Sequence, residues 1–311
     1  MATENFEKPR FDRVALIGIG LIGSSIARAV RKNGMARELV CADSSAQARA
    51  QALSLGIVDR AEARSADAVN GADLVLLCVP VGAYGETAAI IEPKLKPGAI
   101  LSDVGSVKQA VIREVGPFVP EGVHFIPGHP VAGTEHSGPE AGFAELFEGR
   151  WCILTPSPGV AAEPLDRLTR FWRALGSTVE IMDARHHDIV LGITSHVPHL
   201  IAYNIVGTAS DLEEVTKSEV IKYSAGGFRD FTRVAASDPT MWRDVFLNNR
   251  EAVLEVLGRF IEDLTALKRA IRWGEGDTLH ELFSRTREIR RGIVDAGQET
   301  SEPDFGRRPH D

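Results

Sequence analysis

Residues 14–23 read Val-Ala-Leu-Ile-Gly-Ile-Gly-Leu-Ile-Gly, an apolar, β-prone run that flows straight into a complete G-x-G-x-x-G at Gly18, Gly20 and Gly23. Each glycine has a distinct physical task. Gly18 permits a tight strand-to-helix turn, Gly20 lets backbone approach a pyrophosphate, and Gly23 lets the helix pack closely on the strand. The helical run Ser24 to Lys32 follows, and its N-terminus offers unpaired N–H groups to an anion. Asp43 lies 20 residues beyond Gly23, where a carboxylate accepts hydrogen bonds from an adenosine ribose. A glycine-rich turn alone is weak evidence, but the strand before it and the helix after it make a dinucleotide the expected ligand.

At 311 residues the chain exceeds the size at which single cores stop growing, so two domains are expected. Its 44% hydrophobic and 25% charged residues fit a soluble globular protein, and the net charge of −8 argues against nucleic acid as a partner. The N-terminus, MATENFEKPRFDR, has no apolar core for a signal peptide, and the apolar stretch around Leu74 to Val81 is too short to span a bilayer. A cytoplasmic protein without a membrane partner is the expectation. Cys41, Cys78 and Cys152 sit in apolar strand-like runs without C-x-x-C spacing and read as buried, inert thiols.

Strand-like runs at Arg13 to Ile17, Glu38 to Ala42, Asp73 to Val79, Ala99 to Val104, Val123 to Pro127, Trp151 to Thr155 and Thr178 to Met182 alternate with helical ones. Such alternation predicts an α/β fold with a Rossmann-type, doubly wound, mostly parallel sheet over residues 11–183. Helices at Ala46 to Leu55 and Pro164 to Leu175 stop at Gly56 and Gly176. Strand signals cease near Ala184, and 184–300 read as an all-helical domain with helices at Arg185 to Ala209, Pro239 to about Arg272, and Thr278 to Ala296. Asp238 caps the long one and Pro239 suits its first position. Its stripe of Trp242, Val245, Phe246, Val253, Val256, Leu257, Phe260, Leu264 and Leu267 needs a partner, which makes a homodimer through this domain an expectation. Residues 301–311 read as a solvated tail.

Ligands of open α/β sheets collect at the carboxyl ends of the strands. Ser102-Asp103-Val104-Gly105-Ser106-Val107-Lys108 ends a strand and opens a helix, so Ser106 reads first as a helix cap and second as a ligand contact. Pro127-Gly128-His129-Pro130-Val131-Ala132-Gly133-Thr134-Glu135 reads as a rigid loop holding His129, a candidate acid or base against the alternative of a surface histidine. In Ser195-His196-Val197-Pro198-His199 the histidines lie three apart on a helix that Pro198 should kink. His186 and His187 are adjacent rather than offset, so no third ligand stands at helical spacing and no metal is expected. Gly226-Gly227-Phe228-Arg229-Asp230-Phe231-Thr232-Arg233 offers two guanidinium groups suited to carboxylate capture, with surface pairing as the ordinary reading of either.

Together these segments resemble one family, the prephenate and arogenate (cyclohexadienyl) dehydrogenases of tyrosine biosynthesis. The resemblance runs from Val14 to about Ile271 through V-A-L-I-G-I-G-L-I-G-S-S, D-V-G-S-V-K, P-G-H-P-V-A-G-T-E-H-S-G, S-H-V-P-H and G-G-F-R-D-F-T-R-V-A-A-S-D-P-T-M-W-R-D. It implies an NAD(P)-dependent oxidative decarboxylation in which loss of CO2 restores aromaticity, leaving the protein to orient the substrate and remove a hydroxyl proton. By the same resemblance His129 is the catalytic histidine and Ser106 lies near it and the nicotinamide. His199 contacts substrate beside Ser195 and His196, and Arg233 binds a substrate carboxylate. Arg229 and Glu135 form a charged gate. The cofactor set is Gly18, Gly20, Leu21, Ile22, Gly23 and Asp43 with Val79, Pro80 and Ser106. Asp43 repels a 2′-phosphate and favours NAD, while Ser44, Ser45 and Arg49 leave NADP open; between prephenate and arogenate no residue offers a dedicated carboxylate to an ammonium, with Glu135 as the only near candidate.

Two other readings carry specific tests. A dehydrogenase of β-hydroxy acids would place a lysine in the second domain's first helix, and Arg185 to Ala209 contains none. A non-enzymatic NAD sensor would bind the cofactor and turn over neither substrate.

Overall fold

The structure, a computed structural model, describes residues 8–134, 136–216 and 226–295. Its contacts define two compact units, Met1–Val253 and Leu254–Asp311. The first unit is built on a six-stranded sheet of β1 (Phe11–Ile17), β2 (Ala36–Ala42), β3 (Arg60–Glu62), β4 (Leu74–Leu77), β5 (Ile100–Asp103) and β6 (His124–Phe125). All neighbours are parallel, and the order is β3-β2-β1-β4-β5-β6. The alternation of side chains explains why these strands are almost wholly apolar. Val14, Leu16, Leu74 and Leu76 join one buried cluster with Phe171 and Trp172. Ala15, Ile17, Val75 and Leu77 join the other with Tyr84. Both faces are covered, as a parallel sheet requires.

Strand order reverses between β1 and β4, which leaves a crevice beyond their carboxyl ends. The glycine turn leaves β1 there and enters helix Leu21–Asn33, while Val79 and Pro80 follow β4. Gly56 and Gly176, with φ of 63° and 96°, adopt the left-handed conformation just past helices Ala46–Ser54 and Ala162–Ala174.

A second, three-stranded sheet contains β7 (Gly128–Pro130), β8 (Trp151–Leu154) and β9 (Thr178–Ile181). The segment around His129, expected as a loop, is therefore a short strand antiparallel to β8, with His129 opposite Ile153. β3 was also unexpected: Arg-Ala-Glu carries no apolar run, and an edge position needs none.

From Ala184 the described residues are almost all helical. Helix Ala184–Leu191 passes through a π-helical turn, Gly192–His196, into helix Val197–Thr216. The Val197 amide bonds to the Gly192 carbonyl, one residue further back than in an α-helix, just before Pro198, which has no amide to donate. This wide turn stands where a proline kink was expected. The run Ala184–Asp211 is long and apolar enough to cross a membrane by length and composition, unlike Leu74 to Val81. It nevertheless buries His187, Asp188 and His196 among protein partners.

The expected single helix from Pro239 is two, Pro239–Asn248 and Arg250–Trp273, broken at Asn249 with φ −106° and ψ 30°. The first part of the expected stripe is buried: Trp242 and Val245 pack with Val81, Val107 and Ala110. In the second unit, Leu254, Ile261, Leu264, Ile271, Phe283 and Ile289 are exposed. The tail 301–311 lies outside the described residues.

Candidate active site

The glycine turn is packed tightly at two positions and open at the third. A Cβ on Gly18, whose φ is 98°, would lie 2.6 Å from the Cys78 carbonyl oxygen, and one on Gly23 would lie 2.2 Å from that of Gly18. A Cβ on Gly20 would meet nothing within 4 Å. Gly20 also occupies the N-cap position of helix Leu21–Asn33, whose start has neither a side-chain cap nor an acidic residue. The first amides of this helix are thus left without a side-chain cap next to a glycine that leaves room for an anion. Asp43 follows β2, and its carboxylate accepts the Ile19 amide at 3.0 Å and the Ser45 amide at 2.9 Å. A close-packed turn, an uncapped helix start and a carboxylate at the second strand end fit a dinucleotide.

Beyond β5, a buried ion pair clamps the strand that carries His129. Lys108 Nζ donates to Asp103 Oδ2 at 2.5 Å and to the Gly128 carbonyl at 2.6 Å, while the Gly128 amide donates to Asp103 Oδ1 at 3.0 Å. Both polar groups of Gly128 are thus tied to one pair of fully buried side chains. Burial lowers the Lys108 pKa, and the adjacent Asp103 charge opposes that shift.

His129 is buried, with Nδ1 2.9 Å from His187 Nε2. His187 Nδ1 lies in turn 2.8 Å from Asp188 Oδ1. Burial pushes the His129 pKa well below the ordinary histidine value, and His187, Lys108 and His196 push the same way. Burial lowers His187 as well, despite its hydrogen bond to Asp188. Asp188 resists its own burial through bonds from His187 and from the Gln109 and Lys108 amides, which hold its carboxyl below the usual range.

Those amides open helix Gln109–Val115, whose N-cap residue is Lys108. Ser106 therefore does not cap it; Asp188 does, from another element. Ser106 sits half-buried in the preceding loop with its backbone against His196.

His196 Nδ1 is 2.9 Å from Asn249 Nδ2, which also donates to the Asp188 carbonyl at 2.8 Å. Burial, chiefly, lowers the His196 pKa to about 4. His199 Nδ1 donates to the Ser195 carbonyl at 2.8 Å, and its ring stacks on Trp242 at 3.8 Å between centroids. Trp242 meets His196 edge-on at 6.1 Å. The histidines three apart thus share one indole. Arg233 stands near enough to His199 for its charge to add to the lowering that burial causes.

The structure brings His129, Ser106, His196, His199 and Arg233 into one connected neighbourhood through His187, Asp188, Asn249 and Trp242. Arg229 is elsewhere in character: its side chain is 77% exposed and pairs with Asp230 at 3.3 Å. Glu135 lies outside the described residues. Sequence reasoning missed Asp103, Lys108, His187, Asp188 and Asn249 as parts of the site. Asp103 and Lys108 stood within D-V-G-S-V-K, and their presence in that block was the available signal. Cys41 and Cys152 are buried as expected and Cys78 is only partly so; burial raises the Cys41 thiol to about 12.

Comparison with known proteins places this geometry in context. Residues 26–181 match the family model described as prephenate dehydrogenase, nucleotide-binding domain, and residues 183–285 match that described as prephenate dehydrogenase, dimerization domain. The chain is 44% identical over 280 residues to a cyclohexadienyl dehydrogenase of Zymomonas mobilis, covering 90% of this chain and 95% of that one. It is 31% identical over 286 residues to a prephenate dehydrogenase of Bacillus subtilis, covering 91% and 76%. Among solved structures, the prephenate dehydrogenase of Aquifex aeolicus in complex with hydroxyphenyl propionate and NAD+ superposes with a TM-score of 0.85 at 33% identity, covering 93% of this chain and 100% of that one.

Proposed function

This chain belongs to the prephenate dehydrogenase family, and from that premise we propose how its residues carry out an NAD-dependent oxidative decarboxylation of prephenate, arogenate or both. It is an oxidoreductase of tyrosine biosynthesis, acting on a small molecule with NAD as cofactor. Bound NAD supplies the acceptor for the hydride that leaves the hydroxyl-bearing ring carbon. The protein's part is to hold the substrate, exclude water and take the hydroxyl proton.

His129 is that proton acceptor, and the observation carrying this reading is a buried imidazole kept neutral by its surroundings. Ser106 orients the hydroxyl beside it. Arg233 pairs with a substrate carboxylate, and His199, with Ser195 and His196, lines the substrate side. Arg229 and Glu135 guard the entrance. Gly18, Gly20, Leu21, Ile22, Gly23, Val79, Pro80 and Ser106 contact the cofactor, and Asp43 takes the adenosine ribose and disfavours a 2′-phosphate.

The division at residue 183, into a nucleotide-binding region over 11–183 and a helical one over 184–300, is part of this proposal. So are a homodimer through the helical region, supported by the exposed apolar side chains after Leu254, and a cytoplasmic location.

Steady-state assays with NAD and NADP on prephenate and arogenate test the reading. Turnover with NAD is expected, and Asp43→Asn should narrow the preference over NADP. Tight NAD binding with turnover of neither substrate would overturn it in favour of a sensor.

A further inference from the structure

His129, His187 and Asp188 form a line whose protons can be counted from one end. The Asp188 carboxylate is ionised and only accepts. Its Oδ1 receives the Lys108 amide at 2.7 Å as well as His187 Nδ1 at 2.8 Å, and its Oδ2 receives the Gln109 amide at 2.9 Å. His187 Nδ1 therefore carries a proton and donates it. Burial keeps that ring neutral, so its Nε2 is bare. The contact of 2.9 Å then requires His129 Nδ1 to be the donor. A neutral His129 with its proton on Nδ1 has a free lone pair on Nε2.

Among the described residues no other group competes for Nδ1 of His129. The charged and titratable groups facing the two rings are Lys108, Asp103, Asp188 and His196. Lys108 is committed to Asp103 and the Gly128 carbonyl, and His196 Nδ1 to Asn249. Among the described residues His129 Nε2 has no hydrogen bond.

We propose that His187 and Asp188 are positioning residues that fix His129 in the Nδ1–H tautomer and so make its Nε2 the proton acceptor. This rests on the reading of His129 as the base. In that step the substrate hydroxyl proton passes to His129 Nε2, the O–H electron pair forms the carbonyl, and the C–H bond of the same ring carbon breaks with its electron pair, a hydride for which bound NAD would be the acceptor. The resulting imidazolium is stabilised along the line by Asp188. A similar carboxylate–histidine arrangement sets the tautomer in serine proteases, where its loss is severe although the geometry survives.

The test reads the tautomer directly. Nitrogen-15 NMR of the full-length chain labelled in histidine, assigned by difference with His129→Asn, should show a protonated Nδ1 and a bare Nε2 for His129. His187→Leu should abolish that pattern and lower kcat by ~100-fold or more while KM changes little. His187→Gln, whose amide oxygen can accept from His129, should regain at least part of both. A His129 protonated on Nε2 in the unmodified protein overturns the proposal, as does a His187→Leu enzyme with unchanged tautomer or unchanged kcat. If that variant does not fold, the parent spectrum and His187→Gln decide. Near-normal turnover by His129→Asn would instead sink the base assignment itself, a separate failure that leaves the tautomer measurement standing.

Discussion

Asp188 accepts the Lys108 amide at 2.7 Å, so a carboxylate on helix Ala184–Leu191 caps a helix that opens 80 residues earlier in the chain. The cap joins the helical segment to the end of β5. It also takes over the capping role that the position of Ser106 invites.

Activity should persist well below the pH at which an ordinary histidine protonates. A base must be neutral, and the folded pKa of His129 is depressed, so kcat/KM should remain level through about pH 6.5 and fall only under more acidic conditions. A descending limb near pH 7 in the profile would contradict this. His129→Asn should lower kcat by ~10²–10⁴-fold at all pH values, with little change in KM.

The two arginines should separate cleanly. Loss of a charge-assisted carboxylate contact costs ~1.5–3 kcal/mol, so Arg233→Ala should raise KM roughly 10- to 100-fold with kcat nearly retained. Arg229, largely exposed, should change KM by less than about threefold when replaced by alanine. Equal effects in steady-state kinetics would contradict the assignment.

Alanine at each glycine of the turn distinguishes folding from binding. Gly23→Ala forces a Cβ onto the Gly18 carbonyl and should destabilise the fold by ~1–3 kcal/mol, seen as a lower melting temperature. Gly20→Ala meets no atom of the protein, so melting without cofactor should be unchanged while NAD affinity falls. Calorimetry and NAD titration of both variants provide the check.

Stability should decline in mild acid. His129, His187, His196 and His199 all have depressed folded pKa values, so the unfolded chain takes up protons first as pH drops below about 6.5. The stabilisation is complete above that value and is lost progressively towards pH 4, where His196 titrates in the fold. Urea midpoints from pH 8 to 4.5 should trace this loss; a constant midpoint between pH 7 and 5 would refute it.

The parallel sheet was legible because β1 and β4 announce burial on both faces through unbroken apolar runs, and because Gly18, Gly56 and Gly176 mark turns that need left-handed backbone. β3 and β7 were not legible. Each has only three residues, and neighbouring strands supply what their composition lacks. The break at Asn249 carries no glycine or proline; its side chain is used instead by His196 and Asp188. His187 was hidden for a related reason. Adjacent to His186, it showed no periodic pattern, and its role comes from a strand that lies 58 residues away in the chain.

The π-helical turn at Gly192–His196 sets a rotational phase. Each residue of an α-helix advances about 100°, and this wider turn absorbs one extra residue between the buried face of His187 and the face that stacks His199 on Trp242. Deleting a single residue there would give a regular helix whose flanking faces stay in phase, whereas deleting one from the α-helical turns on either side would swing the next face through about 100°. Related sequences should therefore either keep this wide turn or lack one residue within it, and length changes should be rare in the α-helical turns that flank it.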